Sequence, residues 1–195
     1  MKRLPFLLML VAALSAFSLP LAAADATLPG DSVYQVQARM TDQAGQSRPW
    51  QELRGRPMVV SMFYANCHVM CPLIIASGKA LQGQLSPREY ASLDLAMISI
   101  DPARDTPPVL MEIADMHRLD LERWHLLSPE QDEVRTLAAV LGIRYRAQPE
   151  GSFNHTSALI LLDSDGRILA RSEVTGLQPD QGFVAAVREH LASAR

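Results

Sequence analysis

Cysteine is scarce in this chain, which contains only Cys67 and Cys71 among its 195 residues. A scaffold held together by several disulfides is therefore excluded. Two cysteines in an exported protein usually suggest one structural disulfide. A bridge across four positions, however, closes a very short loop and takes little entropy from the unfolded chain. The pair is better explained by chemistry than by stability.

Long apolar runs are missing beyond residue 24, so no later segment is expected to span a bilayer. At the beginning, two basic residues precede an uncharged apolar run from 4 to 21, and small residues at 22–24 form a signal-peptidase site. The pattern predicts a cleavable signal peptide over 1–24, export to the periplasm, and a soluble mature chain over 25–195. The cleavage site disfavours an uncleaved membrane anchor.

An excess of basic residues is also absent. Without the two in the signal peptide, 16 lysines and arginines stand against 21 acidic residues, a net charge of −5. This balance excludes the basic surface expected of a nucleic-acid-binding domain. No repeats or low-complexity tracts occur, and the mature length suits one domain with its own core.

Apolar periodicity predicts an α/β architecture. Alternation from Tyr34 to Met40 before the turn at 42–45 predicts a strand entering a hairpin. Continuous apolar runs predict buried strands at 58–64 and 93–100, and the spacing after Pro72 is helical. The other predicted elements are a helix from 107 to 116, a strand at 124–127, a helix from a capping box at 128–131 to Gly142, a hairpin of 157–162 and 168–172, and a final helix with Phe183, Val184, Val187 and Leu191. Strands alternate with helices, so we expect a mixed sheet covered by helices on both faces.

The cysteine pair lies where a buried strand gives way to a helix. Unpaired N–H groups and the helix dipole stabilise a thiolate at such a helix N-terminus. Because side chains four positions apart share one face of a helical turn, Cys67 and Cys71 can close on each other or on one soft ion. Two thiolates and one imidazole suit copper, since the thiolates favour the monovalent state and the imidazole tolerates the divalent one. Zinc usually requires a fourth ligand or an open water site.

Three segments then occur in a characteristic order and spacing. They are Cys-His-Val-Met-Cys-Pro at 67–72, Ser-Ile-Asp-Pro-Ala-Arg-Asp-Thr-Pro at 99–107, and His-Thr-Ser leading into Ala-Leu-Ile-Leu-Leu-Asp at 155–163. In these segments the chain resembles the Sco/SenC family, thioredoxin-like copper-binding factors for cytochrome c oxidase assembly. The resemblance implies one thioredoxin-like domain over 25–195, with a central mixed β-sheet flanked by helices and an N-terminal hairpin extension.

The resemblance also implies a site and its partners. Cys67, Cys71 and His155 would be the copper ligands for Cu+ or Cu2+, and the cysteines would be redox-active thiols able to form a disulfide. The chain would act as a copper chaperone that delivers copper to the dinuclear copper site of cytochrome c oxidase, or would reduce that site's thiols. The implied partners are the copper-site subunit or another periplasmic copper protein, and a thiol reductant protein. Family members commonly carry Pro-Asp after the first cysteine, where His68 and Val69 stand here.

Two other functions stay open. A general thiol–disulfide oxidoreductase of the thioredoxin type would attack a substrate disulfide with Cys67 and resolve the mixed disulfide with Cys71. Such enzymes normally use a Cys-x-x-Cys spacing, and here Met70 stands at the position of the second cysteine. A peroxiredoxin-type peroxidase is weaker still, because no threonine precedes Cys67 at the positions where one is expected. His155 distinguishes the copper function from the reductase function, since a pure reductase has no evident need for an imidazole there.

The weaker candidates have simpler structural explanations. Adjacent positions point in different directions, so His68 is a poor fourth ligand beside Cys67. Met62 and Met70 are soft enough for monovalent copper, but methionine at strand and helix positions usually fills a core. The remaining candidates are Asp101 and Asp105, interpreted as shaping a turn and a helix start, and His117, His125 and His190, interpreted as surface residues.

Overall fold

The computed structural model describes residues 27–67 and 70–193, together with the backbone but not the side chains of Met70 and Cys71. The signal peptide predicted over 1–24 and the residues His68 and Val69 lie outside this part of the chain. Among the helices of the described part, none combines the length and apolar character that a bilayer crossing requires.

Nine strands form two sheets in the described chain. They are β1 (Arg39–Asp42), β2 (Ser47–Pro49), β3 (Met58–Phe63), β4 (Asp94–Ser99), β5 (Trp124–Pro129), β6 (Tyr145–Ala147), β7 (Phe153–His155), β8 (Leu159–Leu162) and β9 (Ile168–Ser172). The main sheet has the order β2-β1-β5-β4-β3-β8-β9, and β6 pairs with β7 in a separate sheet. Strands β3, β4 and β5 run parallel, whereas the outer strands pair antiparallel, so the main sheet is mixed as predicted.

Five helices surround the main sheet: α1 (Met70–Gln82), α2 (Pro87–Ala91), α3 (Pro107–His117), α4 (Val134–Val140) and α5 (Gln181–Ser193). The Lys79 ammonium donates to the His117 carbonyl, which joins α1 to α3 on one face. From β9, Arg171 reaches the end of α4 by donating to the Leu141 carbonyl, while the neighbouring Ser172 hydroxyl bonds Asp180 just before α5. Since successive strand residues point to opposite faces, helices cover both faces of the sheet. This prediction is confirmed.

Close packing sets the position of α1 on the sheet. A Cβ added at Gly78, in the middle of α1, would lie only 2.5 Å from the Trp124 side chain. The glycine therefore lets the helix backbone approach β5 and the buried Leu95 side chain on β4. This close packing holds the first turn of α1, which contains Cys71, at one edge of the sheet.

The prediction of a strand from Tyr34 to Met40 is wrong before Arg39. Residues Val33–Gln35 form a short 3-10 turn, and β1 begins only at Arg39. The Ser32 hydroxyl accepts a hydrogen bond from the Tyr34 N–H, and the Tyr34 ring is buried 5.0 Å from the ring of Trp50. The apolar alternation thus reflects a capped turn packed on the core. The predicted hairpin itself is confirmed as β1 and β2 at the sheet edge.

The helix predicted to begin at 128–131 is also wrong at its start. Ser128 and Pro129 extend β5 and pair with β1, and α4 begins at Val134. The Glu133 carboxylate accepts hydrogen bonds from the backbone N–H of Arg39 at 3.0 and 3.1 Å. Tertiary pairing with the N-terminal hairpin has therefore overridden the local capping pattern. Helix α2 and the hairpin of β6 and β7 were not predicted, while the other predicted elements are confirmed within a few residues.

Candidate metal centre

Sheet topology brings two of the predicted ligands to one edge. Strand β8 runs antiparallel to β3, with Met58 opposite Leu162 and Val60 opposite Ile160. The end of β3 and the start of β8 therefore lie at the same edge of the sheet. Cys67 follows β3 and His155 precedes β8, so the fold carries both residues to that edge.

Cys67 is half-buried at the border of an apolar cavity. The cavity lies between the end of β3, the start of α1 and the last turns of α3; it is lined by Phe63, Tyr64, Ala65, Cys67, Pro72, Ile75, Ile113, Met116 and His117. The interpretation of His117 as a surface residue is wrong, because it is half-buried in this lining. Burial, with a contribution from Lys79, lowers the pKa of His117. A second imidazole thus lies near Cys67, on the side of α3.

His155 has the arrangement expected of a metal-binding imidazole. Its Nδ1 lies 3.2 Å from the Thr156 carbonyl, and its Nε2 is buried with no hydrogen-bond partner. Burial lowers the pKa of His155, which outweighs the opposite effect of the bond to Thr156. The neutral ring with its proton on Nδ1 therefore leaves a lone pair on Nε2. A histidine ligand typically donates its other ring N–H to a carbonyl in this way, so the residue fits a metal ion.

The hairpin of β6 and β7 carries His155, which is the last residue of β7. Tyr64, at the end of β3, holds this hairpin: its hydroxyl donates to the Phe153 carbonyl at 3.3 Å. The Tyr64 ring also packs edge-on against the rings of Phe153, at 5.2 Å, and His155, at 5.9 Å. His155 therefore ends a strand and does not lie in an irregular loop. The signal for the hairpin was the Pro-Glu-Gly turn before Phe153, where Gly151 has a φ of +83°.

Asp105 has a role that sequence reasoning missed. Its carboxylate is fully buried and accepts hydrogen bonds from the Ala65 N–H at 3.1 Å and from the Ser99 hydroxyl at 2.5 Å. Burial raises the pKa of this carboxyl. Helix α3 begins after Thr106 without a side-chain cap bond. Asp105 therefore supports the loop that leads to Cys67 instead of capping the helix.

Met62, His125 and His190 have other surroundings, whereas His68 and the side chain of Met70 lie outside the described part of the chain. Met62 is fully buried in the core, as its interpretation predicted. The interpretation of His125 and His190 as surface residues is wrong, because both are half-buried. The His125 Nε2 lies 3.8 Å from the Asp94 carboxylate at the start of β4. Within the described side chains, which do not include that of Cys71, no three His, Cys, Asp or Glu residues form a metal-binding group. The ligand set of Cys67, Cys71 and His155 stays a prediction.

Sequence comparison extends over nearly the whole described chain. The SCO1/SenC family model matches residues 29–192. A relative from Stutzerimonas stutzeri, named a putative copper-binding protein, is 28% identical over 150 residues, which cover 73% of this chain and 72% of the relative.

Solved structures are similar to this fold. BsSco, described as having a disulfide switch and as a member of the Sco family of cytochrome c oxidase assembly proteins, superposes with a TM-score of 0.67 at 23% identity, covering 80% of this chain and 92% of BsSco. Yeast Sco1 with copper bound gives a TM-score of 0.64 at 22% identity, covering 81% and 88% of the two chains. At these identities the likeness shows the fold, and it confirms the predicted thioredoxin-like architecture.

Proposed function

The chain belongs to the SCO1/SenC family, and on that premise we propose that it binds copper through Cys67, Cys71 and His155. We place it in the periplasm, where it serves the dinuclear copper site of cytochrome c oxidase. The same cysteine pair either hands copper to that site or reduces the thiols of the site before copper enters.

The observation that carries this proposal is the lone pair of His155. A buried ring nitrogen with no hydrogen-bond partner is costly, and such an atom calls for an explanation. A metal ion satisfies it. Monovalent and divalent copper both accept a set of two thiolates and one imidazole. A thiol–disulfide reductase has no comparable use for this imidazole.

The names of similar proteins support the same cargo and the same pathway. The Stutzerimonas stutzeri relative is named for copper, and yeast Sco1 has been solved with copper bound. BsSco is described as an oxidase assembly protein with a disulfide switch. A switch of this kind in the present chain would use Cys67 and Cys71, the two cysteines of the sequence.

The reductive step balances without any further group on the chain. The Cys67 thiolate attacks one sulfur of the target disulfide and displaces the other target cysteine as a thiolate. The Cys71 thiolate then attacks the mixed disulfide at Cys67, which displaces the second target thiolate and leaves a Cys67–Cys71 disulfide. A thiol reductant protein supplies the two electrons that return the pair to two thiolates.

Anaerobic copper titration of the reduced mature protein tests the proposal. We expect one copper per chain, measured by metal content, and a thiolate-to-copper absorption for the divalent ion. The matched control is the same protein after oxidation, because a disulfide removes both thiolate ligands and should abolish binding. Failure of the reduced protein to retain copper would favour the general thiol–disulfide oxidoreductase instead.

A further inference from the structure

Pairing of β8 with β3 brings His155 to the same edge as Cys67, but it does not fix the hairpin that carries His155. Strands β6 and β7 pair with each other in a sheet separate from the main one. Among the described residues, two side chains from outside this hairpin donate hydrogen bonds into it. One is Tyr64, already described, and the other is Arg104 from the loop after β4.

Arg104 joins that loop to the turn of the hairpin. Its Nη1 donates to the Asp101 carboxylate at 2.7 Å and to the Gly151 carbonyl at 2.9 Å. The guanidinium lies directly against the turn, because a Cβ added at Gly151 would be 3.2 Å from Nη2. The Asp101 side chain is almost fully buried, so the acceptor on the loop side is firmly placed.

The same loop is also bonded to the segment that leads to Cys67. The Asp101 N–H donates to the Ser99 hydroxyl at 2.9 Å, and that hydroxyl donates to Asp105. Asp105 in turn accepts from the N–H of Ala65, two residues before Cys67. A continuous series of hydrogen bonds therefore runs from the cysteine segment through the loop after β4 to the hairpin that carries His155.

We infer that Arg104 is a positioning residue of the copper site: it holds the hairpin turn so that His155 stays beside Tyr64 and the cysteine segment. The inference rests on the proposed copper function. The Arg104 guanidinium is half exposed and joins the loop after β4 to the hairpin turn, so its place in the fold is better explained by geometry than by folding energy. Residues that orient a metal ligand commonly change metal affinity about 10- to 100-fold when they are replaced.

Arg56→Ala serves as a control for Arg104→Ala, although Asp94 also keeps Arg123 at 3.0 Å. Arg56 likewise pairs with one buried carboxylate, Asp94 at 3.1 Å, and donates to one backbone carbonyl, Ala91 at 2.6 Å. Its side chain is 43% exposed, against 52% for Arg104, and its partner lies at the opposite edge of the sheet. Arg56→Ala therefore removes the same kind of contact without touching the candidate site.

The experiment compares the parent with Arg104→Ala, Arg104→Lys and Arg56→Ala. We expect Arg104→Ala to lower divalent copper affinity about 10-fold and to shift the thiolate-to-copper absorption. Arg104→Lys should recover part of the affinity, because an ammonium reaches one of the two acceptors. Arg56→Ala should leave affinity and absorption unchanged. In the metal-free protein, NMR should show the contact between the Tyr64 and His155 rings weakened only in Arg104→Ala.

Parent-like affinity and absorption in Arg104→Ala, with the contact between the two rings intact, would overturn the inference and leave Arg104 as a surface ion pair. If Arg104→Ala does not fold, Arg104→Met keeps most of the side-chain bulk and removes the same hydrogen-bond donors. If the parent itself retains no copper, the proposed function fails. The metal-free NMR comparison then still decides whether Arg104 positions His155.

Discussion

Replacing His155 by alanine should separate metal binding from folding. In the metal-free protein the change removes the bond to Thr156 and the ring contact with Tyr64, which together cost about 1–3 kcal/mol. It also removes a buried nitrogen that has no partner, and relief of such a group offsets about 1–3 kcal/mol. The net change in unfolding free energy should therefore lie near zero.

Copper binding should respond far more strongly. His155→Ala removes a ligand itself. Divalent copper affinity should therefore fall by more than the roughly 10- to 100-fold loss that is typical when a residue bonded to a metal ligand is replaced. Monovalent copper should persist more weakly on the two thiolates. The rate of disulfide reduction should change little. Thermal unfolding of the metal-free protein, titrations with both copper states and a reductase assay measure the three effects.

His117→Ala is the matched control for this experiment. His117 is also a half-buried imidazole whose pKa is lowered by burial, and it borders the same cavity as Cys67. Its loss should leave copper affinity unchanged. The reasoning is refuted if His155→Ala binds copper in both states like the parent. If reductase activity also collapsed in that variant, His155 would be a catalytic proton carrier and the oxidoreductase function would be favoured.

Three other predictions follow from the fold and the site. Replacing Cys67 and Cys71 together by serine should leave the domain folded with only a small fall in Tm, since the loop between them is short; global unfolding would mean that the pair is structural. Gly78→Ala should destabilise the protein by about 1–3 kcal/mol, because the new methyl meets the Trp124 ring at 2.5 Å, and an unchanged Tm would contradict that packing. Burial lowers the pKa of His155, so the unfolded chain binds more protons than the folded chain below about pH 6.5. The stability of the metal-free protein should therefore fall as the pH decreases from that value. Denaturant unfolding at about pH 7.5 and about pH 5.5 should show a smaller fall in stability for His155→Ala than for the parent. An equal fall in stability would contradict the lowered pKa of His155.

Several elements of the fold were predictable because their signals are local. The apolar run of β3 and the helical spacing of α1 lie within single stretches, so periodicity identified both. The start of α4 was not predictable. Ser128 and Pro129 carry a capping pattern, but their backbone pairs with β1, a strand far away in the sequence.

The candidate site was likewise predictable only where its residues are neighbours in the chain. Its cysteine pair was placed correctly at a strand-to-helix junction, since Cys67 and the first turn of α1 are neighbours in the chain. Asp105 was misread, because its acceptor role depends on Ala65, which belongs to another loop. The contact of Arg104 with the hairpin turn could not be predicted from the sequence, since its partner Gly151 lies in a hairpin that was itself not predicted.

The amino-acid sequence alone was enough to identify the elements whose hydrophobic period is local and the cysteine pair. Through its resemblance to a family it also identified the three candidate ligands. Which imidazoles lie near Cys67 depends instead on contacts between distant segments. Antiparallel pairing of β8 with β3 carries His155 to the cysteine edge, and the packing of α3 beside α1 brings His117 to the neighbouring cavity. Both results depend on sheet register and side-chain packing between distant segments, which local periodicity does not encode.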